Sequence, residues 1–202
     1  SGGVDSHVLL YELARIAPAY HIKLSAAHFN HQDSVQSNLW EKHCQNTCNS
    51  LNVKMISRRH LNSSRLGGGK ENRLRLARYE WFKTVMKDGD VLVTAHHLGD
   101  QVETILFRLF RGSGVRGISG IPAFRNFGPG ELRRPLLDIS RADIIAAARY
   151  SQLSWVEDQS NSDESFDRNF IRHRVVPLIR SRWPNVLDTV GRSAKHLYHA
   201  ET

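Results

Sequence analysis

Three short apolar runs, each set beside an amphipathic stretch of ten or more residues, constrain this chain more than any other feature. Ile22, Leu24, Ala26 and Phe29 mark the first run, at 21–29; the others lie at 52–57 and 90–95. Around them, residues 7–17, 34–51, 71–87 and 99–111 carry apolar side chains at helical spacing, such as Val8, Leu9, Leu13 and Ile16. Strands alternating with helices of this length predict an α/β fold, a parallel sheet with helices on both faces. Ligands of such sheets bind at the carboxyl edge of the strands. That edge should collect His28 to His31 and Thr94 to Asp100. The polar, glycine-rich stretch 62–70 reads as a loop, with Gly67 to Lys70 as a mobile segment gating access. Beyond Pro135 the pattern turns helical, at 141–150, 168–182 and 185–199. The expected division is therefore a catalytic α/β domain, 1–138, and a small helical subdomain, 139–202.

A chain of 202 residues can bury a core without a metal or disulfide staple. Its two cysteines, Cys44 and Cys48, fall four apart on one predicted helix and read as buried thiols. A disulfide-framed secreted scaffold is excluded, and a cytoplasmic setting is favoured. No apolar run reaches the ~20 residues of a membrane span. The formal charge is +8, with 21 Arg against 7 Lys. Arginine forks suit phosphates and stack on bases, which points toward nucleotide or nucleic acid.

The chain opens Ser1-Gly2-Gly3-Val4-Asp5-Ser6 and runs directly into the first helix. Glycines let a ligand approach the backbone, and amides at a helix start cradle phosphate. The pattern is not a Walker A loop, which needs a Gly-Lys-Ser/Thr ending. It resembles the pyrophosphate loop of the ATP-pyrophosphatase (PP-loop) class, enzymes that split ATP between its α and β phosphates.

Further along, Asp100 and Glu103 stand three apart at a helix start, hence on one face. Two such carboxylates suit Mg²⁺ held together with substrate phosphates, or simply the positive end of the helix dipole. Arg75 is spaced to pair with Glu71, with Arg78 one turn on. Arg108 and Arg111 lead into the glycine-rich turn Gly112-Ser113-Gly114. Five acids between 157 and 167 precede five arginines between 168 and 182; Arg168, Arg172 and Arg174 are spaced as a basic helix face that could track phosphates.

Taken in order, these pieces resemble the tRNA(Ile)-lysidine synthetase family. They are the hexapeptide, His28-Phe29-Asn30-His31, Glu71 through Arg75 to Tyr79, Thr94 to His97 with Asp100-Gln101 and Glu103, Arg108 to Gly117, Arg134 to Leu137, and Asp158 to Arg172. The resemblance implies an enzyme that uses ATP to adenylate the 2-carbonyl of the wobble cytidine in a CAU anticodon. Free L-lysine then displaces AMP to form lysidine. It implies ATP contacts at Ser1, Gly2, Gly3, Val4, Asp5, Ser6 and His28. It implies catalytic roles for Asp5, Arg75, Asp100, Glu103 and Arg168, with Asp100 and Glu103 holding Mg²⁺ or the lysine amine. The tRNA contacts would be Arg78, Arg108, Arg111, Arg172 and Arg174. A homodimer is a candidate assembly. Gly99 departs from the family, which usually carries an acid there. The family also places a strand before the hexapeptide, and many members carry further carboxyl-terminal domains. The chain thus reads as an amino-terminal catalytic fragment. Other PP-loop adenylating enzymes (a tRNA thiolase or an amidating synthetase) and a non-catalytic RNA- or nucleotide-binding module are the alternatives.

Overall fold

The computed structural model describes residues 1–32, 36–60 and 70–201. Helix α1 (Val4–Ile16) leads through a 3₁₀ turn to β1 (Ser25–Asn30), α2 (Ser37–Ser50), β2 (Lys54–Arg59), α3 (Lys70–Val85) and β3 (Val91–Val93). Helices α4 (Leu98–Phe110) and α5 (Val115–Ile118) precede a hairpin, β4 (Phe124–Phe127) and β5 (Gly130–Arg133). Helices α6 (Arg141–Tyr150), α7 (Asp167–Phe170), α8 (Val176–Arg182) and α9 (Val186–Glu201) follow.

Strands β1 and β2 pair in parallel, Ser25 opposite Lys54 through Asn30 opposite Arg59, with α2 as the crossover between them. This is the βαβ unit the alternation predicts. A second sheet has the order β3-β5-β4. Its β4–β5 hairpin is absent from the sequence reading. Each strand is only four residues long and buries a single residue, Phe127 in β4 and Leu132 in β5, so alternation is nearly invisible. The punctuation was there in Gly128-Pro129-Gly130, where Gly128 takes a left-handed φ of 57°. Strand β1 starts at 25 rather than 21 because Pro18 fixes a 3₁₀ turn that ends at His21 in a left-handed conformation. The proposed gating loop falls on residues outside the description, apart from Lys70, which opens α3.

Two compact units emerge. The first comprises Ser1–Leu92, Asn126–Leu132 and Leu153–Val156; the second comprises Val93–Arg125, Arg133–Gln152 and Glu157–Thr202. Aromatic residues make the core of the first: Phe29, Tyr79, Trp81, Phe82 and Phe127 pack around Leu132, which is completely buried. The Tyr79 and Phe127 rings meet edge to face at 5.6 Å. In the second unit α4 packs on α9 and on the segment after α7, burying Val102, Ile171 and Ala194. Gly191 allows that approach: a Cβ there would come within 2.7 Å of Leu98 Cδ1. No helix among the described residues is long and apolar enough to cross a membrane.

Candidate active site

In the first unit, Gly3 is the N-cap of α1 in extended conformation, and no side chain caps the helix. A helix start without a side-chain cap is one whose backbone amides can meet a ligand or water. Gly2 is held against Val156, whose N–H donates to the Gly2 carbonyl at 2.9 Å. A Cβ on Gly2 would stand 2.5 Å from Val156 Cγ2, whereas one on Gly3 would meet nothing nearer than Ser1 Oγ at 3.9 Å. Packing thus explains the first glycine; the second leaves open space beside the helix start. Ser6 Oγ reaches the Ser1 carbonyl at 2.8 Å and the Gly3 carbonyl at 2.9 Å, so this hydroxyl ties the loop to itself. Val4 is buried and Asp5 half-buried in the first turn.

Behind the loop, His7 is buried between α1 and α2, 4.9 Å from the His43 ring. His28 is buried on β1. Burial pushes both His7 and His28 down to about 4, so each is neutral at physiological pH. Cys44 and Cys48 are buried on α2, and burial pushes both thiols up, which suppresses their reactivity. Arg75 is exposed and Arg78 half-buried on α3; both lie over the Tyr79 ring, at 5.4 and 5.6 Å. The Glu71 side chain, spaced to pair with Arg75, is outside the description.

In the second unit, α4 begins with a reciprocal cap. His97 Nδ1 accepts from the Gly99 N–H at 3.0 Å, and Asp100 Oδ2 accepts from the His97 N–H at 2.9 Å. A Cβ at position 99 would come within 2.7 Å of the His97 ring, so glycine at 99 suits the cap formed here. One turn on, Glu103 is buried and bound by Arg172 through two parallel bonds, 2.7 Å to Oε1 and 2.8 Å to Oε2. Arg172 Nη2 also lies 3.5 Å from Asp100 Oδ1. Burial pushes the Glu103 carboxyl above its ordinary range, and the Arg172 guanidinium pulls it part of the way back. Glu103 and Arg172 border a cavity of about 480 Å³, which Arg141 and Arg180 also line.

A π-helical segment, Ile171–Val175, joins α7 to α8 where the sequence predicts one regular helix. Residues 172 and 174, two apart on it, do not share a face. Arg172 turns to Glu103, Arg174 pairs with Glu164 at 2.9 Å, and Arg168 stays half-buried on α7. Arg108 donates to the carbonyls of Gly117 and Gly120, at 3.0 and 2.8 Å, and so closes the glycine-rich turn. Arg111 is exposed, over the Phe107 ring. Gln101, noted in the sequence only as part of a motif, is buried and grips both backbone groups of Ile121. Its signal was its place two residues past the predicted helix start, on the inward face.

The donor set of Asp100 and Glu103 bears directly on Mg²⁺. Both Glu103 oxygens face Arg172, and one Asp100 oxygen caps the helix. Among the described residues no three His, Cys, Asp or Glu side chains form a metal-holding group. As arranged, the pair fits an organic cation better than a divalent ion, whose oxygen ligands would have to come at the expense of Arg172.

Residues 1–179 match the family model for the PP-loop domain, and the chain belongs to that family, which implies use of ATP. Over 202 residues it is 46% identical to the tRNA(Ile)-lysidine synthase of Pseudomonas fluorescens, covering 100% of this chain and 45% of the relative. It is 43% identical to the enzyme of that name from Coxiella burnetii, covering 99% of this chain and 44% of the relative. The chain thus spans less than half the length of the curated relatives it matches. Among solved structures it is similar to the U34-tRNA thiolase NcsA from Methanococcus maripaludis, which carries a 4Fe-4S cluster. The TM-score is 0.79 at 14% identity, covering 98% of this chain and 70% of that one. That likeness concerns the fold.

Proposed function

We propose that this chain is the catalytic part of a lysidine-forming ligase. It uses ATP to adenylate the 2-carbonyl oxygen of the wobble cytidine in a CAU-anticodon tRNA(Ile), then joins free lysine with loss of AMP. The observation that carries this assignment is the 41–46% identity, along essentially the whole chain, to several tRNA(Ile)-lysidine synthases. The geometry supports both halves of the reaction. The uncapped start of α1, with open space at Gly3, suits the ATP phosphates, and Ser1, Gly2, Val4, Asp5 and Ser6 shape that loop. The first step asks for phosphate charge to be neutralised rather than for a general base, because the carbonyl oxygen attacks without losing a proton.

The second step asks for a neutral amine. Glu103 and Asp100 already hold a cationic nitrogen group, that of Arg172. A lysine ammonium is the same kind of guest, and a buried carboxylate with a raised pKa is suited to take its proton. Here Arg172 is a partner of those acids, while Arg78, Arg111 and Arg174 are the cations for tRNA phosphates. Mg²⁺ would travel with the ATP phosphates. Thiolation is not favoured: the chain has two cysteines, and both are buried on α2.

The test is ATP-dependent incorporation of labelled lysine into a CAU-anticodon tRNA(Ile), by this chain and by the full-length protein. Incorporation by the full-length protein supports the assignment. ATP cleaved to AMP without lysine transfer would redirect it to another carbonyl substrate, and no cleavage would leave a nucleotide-binding module. Glu103→Gln should spare pyrophosphate release and impair lysine transfer; equal loss of both refutes that division of labour. Sedimentation of the full-length protein decides whether it pairs with a second copy.

A further inference from the structure

We propose that His7 is a positioning residue for the ATP loop: its ring locks the Gly3–Val4 peptide so that the Val4 N–H is held toward the phosphates. This rests on the loop's assignment to ATP and adds a residue outside the hexapeptide. The Gly3 carbonyl oxygen is crowded with donors. It lies 3.1 Å from His7 Nδ1, 3.2 Å from the His7 backbone N–H and 2.9 Å from Ser6 Oγ. A peptide unit is planar and trans, so pinning its C=O also pins the N–H on its opposite side. Glycine at this position brings no side chain to steady the loop and has more backbone freedom than any other residue. The ring supplies the missing restraint from the helix's own second turn.

The ring's tautomer follows from its neighbours. The Gly3 carbonyl can only accept, so Nδ1 must carry the hydrogen. His7 is buried and neutral, so Nε2 is then bare and needs a donor. Thr47 Oγ1 on α2 stands 3.2 Å from it. The same hydroxyl lies 3.1 Å from the His43 carbonyl. It has one hydrogen, and sending it to Nε2 satisfies both ring nitrogens. A relay results: Thr47 on α2 fixes the ring, the ring fixes the Gly3 carbonyl, and the carbonyl fixes the loop. It couples α2, the crossover helix of the parallel pair, to the helix start. A loop held in its binding geometry before the ligand arrives loses less entropy on binding, which is the general source of affinity by preorganisation.

Amide side chains separate the two ring nitrogens. The Asn amide overlies Nδ1 and keeps a donor for Gly3; the Gln amide overlies Nε2 and keeps only the Thr47 contact; Phe keeps the ring shape and neither bond. Dissociation constants for ATP and for adenosine would be measured by calorimetry on the full-length protein and on His7→Asn, His7→Gln, His7→Phe and Thr47→Val, with Tm for each. The expected result is ATP binding about tenfold weaker for His7→Phe and His7→Gln, about 1.4 kcal/mol. His7→Asn stays within about threefold of the parent, Thr47→Val falls between, and adenosine affinity is unmoved throughout. ATP affinity unchanged in His7→Phe, or Asn and Gln equally weak, or ATP and adenosine weakened together in step with Tm, each overturns the inference. If the parent binds ATP but Gly3→Ala and Ser6→Ala leave its affinity untouched, the loop assignment itself is what fails.

Discussion

Removing Arg172 should expose how costly the Glu103 carboxylate is to bury. In Arg172→Met the stem is replaced at similar length and the guanidinium is lost. Taking one partner from a fully buried ion pair costs about 3–5 kcal/mol, because the other charge is left uncompensated. Here the side chain of Glu103 is 7% exposed and that of Arg172 is 27% exposed. The guanidinium is partly screened, so about 2 kcal/mol is the figure to expect at neutral pH. The pH dependence is more telling. The folded Glu103 carboxyl titrates above its ordinary 4.5, with burial as the largest cause, so the folded state holds its proton more tightly than the unfolded chain. Its contribution to stability is complete below 4.5 and is lost as pH rises through the folded value. Arg172→Met removes the main influence lowering that value, which climbs further, and the loss extends to higher pH. The penalty should therefore be smaller near pH 4 than at pH 7.5. Urea denaturation at both values, for Arg172→Met, Glu103→Gln and the double variant, measures it. In the double variant the carboxylate is gone, so most of the penalty should disappear, with a coupling of at least about 1 kcal/mol. A penalty equal at the two pH values, or a coupling under about 0.5 kcal/mol, would show that Arg172 acts here through packing alone.

Other perturbations have signs fixed by the same structure. His7 and His28 titrate near 4 when folded and near 6.5 when unfolded, so the unfolded chain takes up protons first; denaturation midpoints should fall as pH drops from 6.5 to 4 and level off below, and His28→Phe should flatten part of that slope. Gly2→Ala should destabilise by about 1–3 kcal/mol through the clash with Val156, while Gly3→Ala leaves Tm within about a degree or two and weakens ATP binding alone; equal Tm losses would contradict the difference in free space. Gln101→Leu strands both backbone groups of Ile121 and should cost about 2–4 kcal/mol in urea midpoint analysis, whereas a loss under about 0.5 kcal/mol would mean water replaces the amide. Both cysteine thiols should react slowly with a thiol reagent at pH 8 until the chain is denatured; fast modification of native protein would place either of them at the surface.

The sequence by itself settled what is periodic or local. Apolar alternation marked β1, α2, β2 and α4, because burial on one face repeats at fixed spacing. The hexapeptide announced a helix start with glycines before it, and residue spacing put Asp100 and Glu103 on one face of α4. Tertiary structure decided which partner each charge receives. Arg172 and Arg174 carry the same charge in sequence, yet the fold brings Glu103 to one and Glu164 to the other, and no helical wheel names those partners. It also decided that Asp100 caps its own helix, and that Gly99 makes room for the His97 ring. The β4–β5 hairpin escaped because strands of four residues that each bury a single side chain carry too little pattern; only their packing on the aromatic core, through Phe127 and Leu132, makes them strands. His7 belongs to the same category. In sequence it is one residue past the hexapeptide, and only the approach of α2, bringing Thr47 to one ring nitrogen while the Gly3 carbonyl meets the other, gives it a part in the loop. Pattern records how each segment hides its own apolar face, whereas charge pairing and tautomers depend on which segments meet, and that is fixed only when the chain folds.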